Sequence, residues 1–104
     1  MDKKIIHIRS FISSNMAISP EDGEKLFEEI CKTLKEDKQV ELDFSKIDIL
    51  VSAFLNSSIG KLYGTKFKDA FDREQIIFSN LSEQDKATVL LVQKRAKDFF
   101  ARKN

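Results

Sequence analysis

The sequence is poor in the residue types from which many recognisable sites are built. A single cysteine, Cys31, excludes an internal disulfide framework and a cysteine-rich metal site. The three glycines do not fall into a phosphate-binding spacing, and the single histidine, His7, cannot form a paired-histidine metal motif. We therefore expect neither a bound cofactor nor a metal ion.

The sequence also lacks a charge excess and a long apolar run. Its 18 Lys and Arg residues are balanced by 17 Asp and Glu residues, for a formal net charge of +1. A nearly neutral domain has no strong field to attract nucleic acid or anionic lipid. No apolar run approaches the roughly 20 residues of a membrane-spanning helix. The first residues, M-D-K-K-I-I-H-I-R, lack the apolar stretch of a secretory signal. We expect a cytoplasmic protein that binds neither nucleic acid nor a membrane.

Hydrophobic periodicity predicts strands that alternate with helices. Residues 4–11 are rich in β-branched side chains, which favours a strand near the edge of a sheet. Ser19 followed by Pro20 is a typical helix start, and apolar residues recur at the helical period as far as Leu34. At Val40 the period changes to two, which indicates a strand with one buried face.

The second half of the chain repeats this alternation. The extended pattern continues to Ser52, and helical spacing then runs from Leu55 to Gly64, where a left-handed residue is predicted to end the helix. A short strand is predicted at residues 75–78, and a last helix after Ser82. With 104 residues, we predict a single domain over residues 1–104. Its class is α/β, with a central, mostly parallel or mixed sheet and helices packed on it. A ferredoxin-like sandwich is the alternative, which requires two adjacent strands between its helices.

No catalytic constellation is visible in the sequence. His7 lies in a strand pattern without an orienting partner, and Cys31 lies on an apolar helical stripe, where a thiol acts as a small hydrophobe. The acidic residues Glu21, Glu24 and Glu28 form a line along one helix, whereas a hard cation needs converging oxygens. The sequence therefore predicts a protein that is not an enzyme.

Ser52 is the candidate functional residue, because it lies where a buried strand runs into the next helix. A hydroxyl at a helix entrance can cap backbone N–H groups, or it can accept a phosphate that changes what the surface binds. Both interpretations stay open at this point. Exposure of Phe54, Phe67 or Phe71 would mark a partner site near the same helix.

The segment L-D-F-S-K-I-D-I-L-V-S-A-F-L-N-S-S-I-G, residues 42–60, resembles the strand-loop-helix core of STAS domains. These domains are the fold of bacterial anti-sigma factor antagonists. The segment is more similar to a STAS-like family of unknown function, which S-P-E-D-G and I-I-F-S-N-L also resemble. The resemblance covers nearly the whole chain in element order and implies a single STAS-like domain.

The resemblance also implies a regulatory role. In antagonist STAS domains, the first hydroxyl of a D-S-S/T-G-L motif is phosphorylated by a histidine-kinase-like ATPase. Ser52 matches that serine, whereas Val51, Ala53 and Phe54 replace its acidic, hydroxyl and glycine neighbours. The implied partner is such an ATPase or an anti-sigma-type regulator. The implied partner-binding residues are Val51, Ser52, Phe54, Asn56 and Lys61.

Two alternative functions remain open from the sequence. The first is an unphosphorylated, self-associating or adaptor subunit of a larger system. The second is a small ligand-binding domain or enzyme, which a deep pocket joining His7 to carboxylates would favour.

Overall fold

Three parallel strands form the main sheet of the computed structural model, which describes residues 2–102. Strand β1 (Lys3–His7) pairs with the central strand β3 (Gln39–Asp43), and β3 pairs with β5 (Ile76–Ser79). The short strands β2 (Met16–Ala17) and β4 (Ile49–Leu50) form a second parallel pair. The predicted α/β class is confirmed, and parallel pairing throughout the described sheets excludes the ferredoxin-like alternative.

Within residues 2–102, four α-helices and one 3₁₀ helix connect or follow these strands. They are α1 (Ile8–Phe11), α2 (Pro20–Lys35), α3 (Ser52–Ser57), the 3₁₀ helix (Gly60–Gly64) and α4 (Glu83–Ala101). Two predicted helix starts are confirmed by their caps. The Ser19 hydroxyl accepts a hydrogen bond from the Asp22 N–H at 2.9 Å, and the Ser82 hydroxyl accepts one from the Asp85 N–H at 3.1 Å.

The main sheet buries one of its two faces. Because the strand order β1-β3-β5 advances in one direction, right-handed crossovers place both connecting segments on the same side. Ile6 and Leu42 are register partners on that side, and both are buried. Ile5 lies on the opposite face and is 43% exposed. The sheet is therefore covered by helices on one side and accessible on the other.

Helices α2 and α3 approach each other closely at Gly23. A Cβ atom at this position would lie 1.9 Å from Ser57 Oγ and 2.5 Å from the Phe54 carbonyl oxygen. No side chain fits that space, so glycine is the residue that lets the two backbones meet. The apolar residues packed around this crossing include Leu26, Ile30, Phe54 and Leu55.

Two of the predicted element boundaries are wrong. The first strand ends at His7, and residues 8–11 form the single helical turn α1, which buries Ile8 in the core. The predicted helix from Ser52 to Gly64 is interrupted at Ser58, whose hydroxyl donates back to the carbonyl of Phe54 at 2.9 Å. Serine side chains compete with the helical hydrogen-bond pattern in this way.

Gly64 does not end a helix in the left-handed conformation. It belongs to the 3₁₀ helix, and none of the three glycines has a positive φ. A Cβ atom on Gly64 would lie 2.4 Å from Cε1 of Phe100. The Phe100 ring of α4 therefore packs directly against Gly64, and a side chain at this position would have to displace the ring.

Candidate functional site

Ser52 is the first residue of α3, and its side chain is exposed. The N-cap is Val51, which has extended backbone angles, φ −118° and ψ 157°, and no side-chain oxygen. The predicted capping role of Ser52 is therefore wrong, because the cap position precedes the first helical residue. No hydrogen bond to the Ser52 hydroxyl occurs within the described part of the chain. The hydroxyl is accessible and has no structural task.

The other residues predicted to bind a partner do not share one environment. Asn56 is exposed and Val51 is half-buried. Phe54 is 0% exposed, so its predicted place in the binding surface is wrong. Its ring packs in the core because α3 turns this position towards α2. Phe67 and Phe71 are also packed against the core and are only partly exposed.

Lys61 is bound to α2. Its ammonium group pairs with the Glu24 carboxylate and lies 4.8 Å from the centre of the Phe27 ring. A cation held by both a carboxylate and an aromatic face is positioned more firmly than a free surface lysine. Lys61 therefore presents a fixed positive charge beside α3 while remaining partly exposed.

A small apolar surface adjoins Ser52. Met16 and Ile49 are register partners in the β2–β4 pair, so their side chains lie on the same face. They are 42% and 47% exposed, and nearby Ile18 is also 42% exposed. We call Met16, Ile18 and Ile49 the β2–β4 patch. The chain leaves β4 at Leu50 and reaches Ser52 two residues later, so the backbone of Ser52 lies close to that of Ile49.

Sequence reasoning missed the β2–β4 patch because strands of two residues leave almost no periodic signal. The alternation through Ile47, Ile49 and Val51 predicts that all three are buried alike. The structure partly buries Ile47 and exposes Ile49, because only a two-residue strand lies beside β4. The run of apolar residues before Ser52 was the available signal, but it could not show which side chain faces outward.

A second polar cluster lies where the three strands of the main sheet end. His7, Asp43 and Ser79 occupy the same register level across β1, β3 and β5. His7 Nδ1 lies 2.9 Å from Asp43 Oδ2. Asn80 Nδ2 and the Ser45 N–H donate to Asp43 Oδ1 at 2.8 and 2.9 Å. Parallel strands bring their carboxyl ends to one edge, so residues distant in sequence meet there.

These hydrogen bonds fix Asp43 as a carboxylate. The Asn80 amide, followed by the Ser45 backbone N–H, lowers the pKa of Asp43 from 3.8 to about 2. Such a carboxylate orients the imidazole of His7, whose side chain is 60% exposed. His7 thus has an orienting partner that the sequence did not reveal.

The surroundings of His7 are shallow. A depression of 370 Å³ beside it is lined by Lys4, Ile5, Ile6, His7, Ser10, Phe11 and Glu29. The Glu29 carboxylate is paired with Lys4, which lowers the pKa of Glu29. Asp43 does not line the depression, so a hydrogen bond and not a common pocket connects it to His7.

The remaining sequence candidates have structural surroundings. Burial raises the pKa of the half-buried Cys31 thiol, consistent with the expected role as a small hydrophobe. Between residues 2 and 102, no group of three or more His, Cys, Asp or Glu side chains could hold a metal ion. Among the helices of that region, none combines the length and the apolar character needed to cross a membrane.

Comparison with known proteins identifies one family. A family model described as a STAS-like domain of unknown function (DUF4325) matches residues 22–86. The match begins in the first turn of α2 and ends in the first turn of α4, and it includes β3, β4, α3 and β5. No curated protein and no solved structure matches the chain.

Proposed function

Because the chain belongs to the family of STAS-like domains of unknown function, we propose that it is a non-enzymatic module that binds a regulatory protein through the surface around Ser52. The observation that carries this proposal is the β2–β4 patch, where Met16 and Ile49 lie side by side and remain exposed. Large apolar side chains exposed next to each other are typical of protein interaction sites. The proposed surface consists of this patch together with Val51, Ser52 and Asn56.

The patch has enough apolar area to contribute to a regulated interaction. Roughly half of the surface of each side chain in the patch is already buried, so complete burial would contribute about 1 kcal/mol per residue. Part of this gain is offset by the entropy lost on association. The patch therefore favours a reversible complex with an apolar partner surface.

Phosphorylation of Ser52 would act as a switch on this surface. A phosphoserine adds about −1.5 to −2 charges and three oxygens that require water or cations. The first turn of α3 carries no acidic residue, and its sequence, S-A-F-L, has no cation either. Placed at an apolar contact, with no cation in the same helical turn and with Lys61 already paired with Glu24, the phosphate would weaken the complex.

The resemblance to antagonist STAS domains supports the identity of the partner. We infer a histidine-kinase-like ATPase that both binds this surface and phosphorylates Ser52, or an anti-sigma-type regulator in the bacterial cytoplasm. The accessible hydroxyl of Ser52 is compatible with entry into a kinase active site. The buried ring of Phe54 would take no part in the contact.

A pair of matched variants tests the binding surface. Ile49→Asp places a carboxylate in the β2–β4 patch, whereas Ile5→Asp places one on the open sheet face, at a residue of similar exposure. Each tagged protein is used to capture partners from its native cells, with identification by mass spectrometry. The wild type and Ile5→Asp should recover the same ATPase or anti-sigma-type regulator, and Ile49→Asp should lose it. Equal recovery by Ile49→Asp would overturn the proposed surface.

The switch needs a separate measurement. The recovered partner is titrated with wild type, Ser52→Ala and Ser52→Asp, and the peptide containing Ser52 is analysed for phosphate. We expect Ser52→Ala to bind like the unmodified wild type and Ser52→Asp to bind more weakly. If Ser52 carries no phosphate in cells and both variants bind equally, the module binds its partner without the switch.

A further inference from the structure

The outer edge of β5 has no neighbouring strand among residues 2–102. The Val40 N–H donates to the Gln75 carbonyl at 2.8 Å, and the Phe44 N–H donates to the Ser79 carbonyl at 3.0 Å. Alternate residues of a parallel strand bond to the same neighbour, so residues 75, 77 and 79 face β3. Ile76 and Phe78 therefore face the outer edge. The Ile76 N–H already donates to the Ala70 carbonyl at 3.3 Å, which leaves the N–H and C=O groups of Phe78 facing the open part of this edge.

Beyond Ile76, this edge lacks the charged side chains and proline that often prevent strand addition. Edge strands are commonly protected by lysine, proline or a bulge. Strand β5 reads I-I-F-S and contains no charged residue or proline. The opposite edge of the sheet, β1, carries Lys3 and Lys4. The contrast indicates that β5 is the edge suited to pairing.

An apolar groove runs along the free edge of β5. It has a volume of 670 Å³ and lies between β5 and α4. Its apolar lining residues are Phe71, Ile76, Ile77, Phe78, Leu81, Val89 and Leu90. Leu90 is 66% exposed, so its side chain is available for contact with a molecule in the groove.

The two ends of the groove are lined by opposite charges, of which Lys86 already pairs with the exposed Glu83 at 3.2 Å and Asp72 with Lys97. Helix α4 follows β5 and runs back along it, so Lys86 lies near the carboxyl end of β5. Asp72 and Glu74 line the groove near the amino end of the strand. The later part of α4 lies near the amino end of β5, because Nζ of Lys97 is 3.8 Å from Asp72 Oδ2. A molecule that fits this groove presents a cation to one end and an anion to the other.

We propose that a second copy of this chain occupies the groove, with the two β5 strands pairing antiparallel across a two-fold axis at Phe78. The axis is normal to the sheet, and the Phe78 N–H and C=O groups of the two copies bond to each other. An antiparallel arrangement brings the Glu74 end of each groove to the Lys86 end of the other. The acidic end of one groove thereby faces the basic end of the other copy's groove, and the two charges are complementary.

The same symmetry accounts for the exposed Leu90. A two-fold axis normal to the sheet keeps both α4 helices on the same side of the continuous six-stranded sheet. The two Leu90 side chains then meet beside the axis and cover each other. This contact is separate from the β2–β4 patch, so it adds self-association to the proposed binding of a regulatory protein.

Sedimentation velocity of the full chain, from micromolar to millimolar concentration, tests the proposal. The wild type should form dimers. Leu90→Lys places two like charges at the axis and should raise the dimer dissociation constant on the order of a hundredfold, because both copies carry the change. Leu91→Lys is the matched control, since Leu91 is 46% exposed but does not line the groove. It should leave the dimer intact. Circular dichroism verifies that both variants fold.

A charge exchange tests the antiparallel register. Lys86→Glu and Glu74→Lys should each weaken the dimer, whereas the double variant should restore it because both contacts are reversed together. A wild type that remains monomeric at millimolar concentration overturns the proposal. It is also overturned if Leu91→Lys disrupts the dimer as strongly as Leu90→Lys, or if the double exchange fails to restore association.

Discussion

Asn80 Nδ2 donates to Asp43 Oδ1 at 2.8 Å and connects the carboxyl ends of β5 and β3. Asn80 has a positive φ of 59°, a backbone conformation that asparagine tolerates better than most residues. His7 completes the connection from β1. The three strands of the main sheet are therefore held together at this edge by side chains as well as by backbone hydrogen bonds.

Acid should weaken this connection. The pKa of Asp43 is lowered to about 2 from an ordinary value of 3.8, so its contribution to stability is present above pH 4 and is lost as pH falls towards 2. We expect this contribution to be about 1 to 2 kcal/mol, below the full value of the shift because its partner His7 is largely exposed to water. Urea unfolding at a series of pH values measures it.

The variant Asp43→Asn isolates the effect of Asp43 from that of other carboxylates. Glu29 and Glu41 also have lowered pKa values, through hydrogen bonds from Lys4 and Lys3 respectively, and the variant keeps both of these hydrogen bonds. The variant should be less stable at neutral pH and should lose less stability in acid than the wild type. Parallel curves for the two proteins would contradict the assignment.

Replacement of Gly23 by alanine should destabilise the fold. Its Cβ atom would overlap both Ser57 Oγ and the Phe54 carbonyl oxygen, and the latter belongs to the backbone of α3. Overpacking of this kind costs about 1 to 3 kcal/mol. Chemical denaturation gives the free energy of unfolding. Gly60→Ala is the control, because the nearest atom to its Cβ would be 3.5 Å away. Equal losses in the two variants would contradict the close approach of α2 and α3.

Removal of the Ser52 hydroxyl should leave stability almost unchanged. The hydroxyl caps no helix, so Ser52→Ala should lie within about 0.5 kcal/mol of the wild type. Ser19→Ala and Ser82→Ala remove true caps and should each cost about 1 kcal/mol. Thermal unfolding of the three variants compares these values. A loss at Ser52 as large as at Ser19 would show that its hydroxyl stabilises α3.

Cys31 should react slowly with thiol reagents in the folded protein. Burial raises the pKa of its thiol, which reduces the thiolate fraction at neutral pH. The rate of reaction with an aromatic disulfide, measured by absorbance, should rise when the protein is unfolded in urea. A folded protein that reacts as fast as the unfolded chain would contradict this.

Local sequence signals located the caps and the strands with a buried face. Ser19 with Pro20 and Ser82 with Asp85 start helices as predicted, because a cap and the helix it begins are neighbours in the chain. Val40 and Leu42 are buried as their alternation predicts. The burial of Phe54 was not predicted. Its position two residues after Ser52 suggested that it lies on the surface, whereas the packing of α3 against α2 buries it.

Ser52 shows the limit of local reasoning at the candidate site. The sequence placed Ser52 correctly at the start of a helix. Whether Ser52 or Val51 is the N-cap depended on which carbonyl accepts the first helical hydrogen bond, and that carbonyl belongs to Val51. The neighbouring patch depended on the pairing of Met16 with Ile49, which are far apart in the chain. Neither relationship has a local sequence pattern.

The sequence by itself determined the α/β class, the order of its main elements, the near neutrality of the domain and the helix starts at Ser19 and Ser82. These properties depend on composition and on residues within one or two turns of each other. Only the tertiary structure decided that His7 meets Asp43, that Phe54 is buried and that the outer edge of β5 faces no other strand among residues 2–102. Strand order and register bring together residues from distant parts of the chain, so these contacts are settled by the packing of the whole domain.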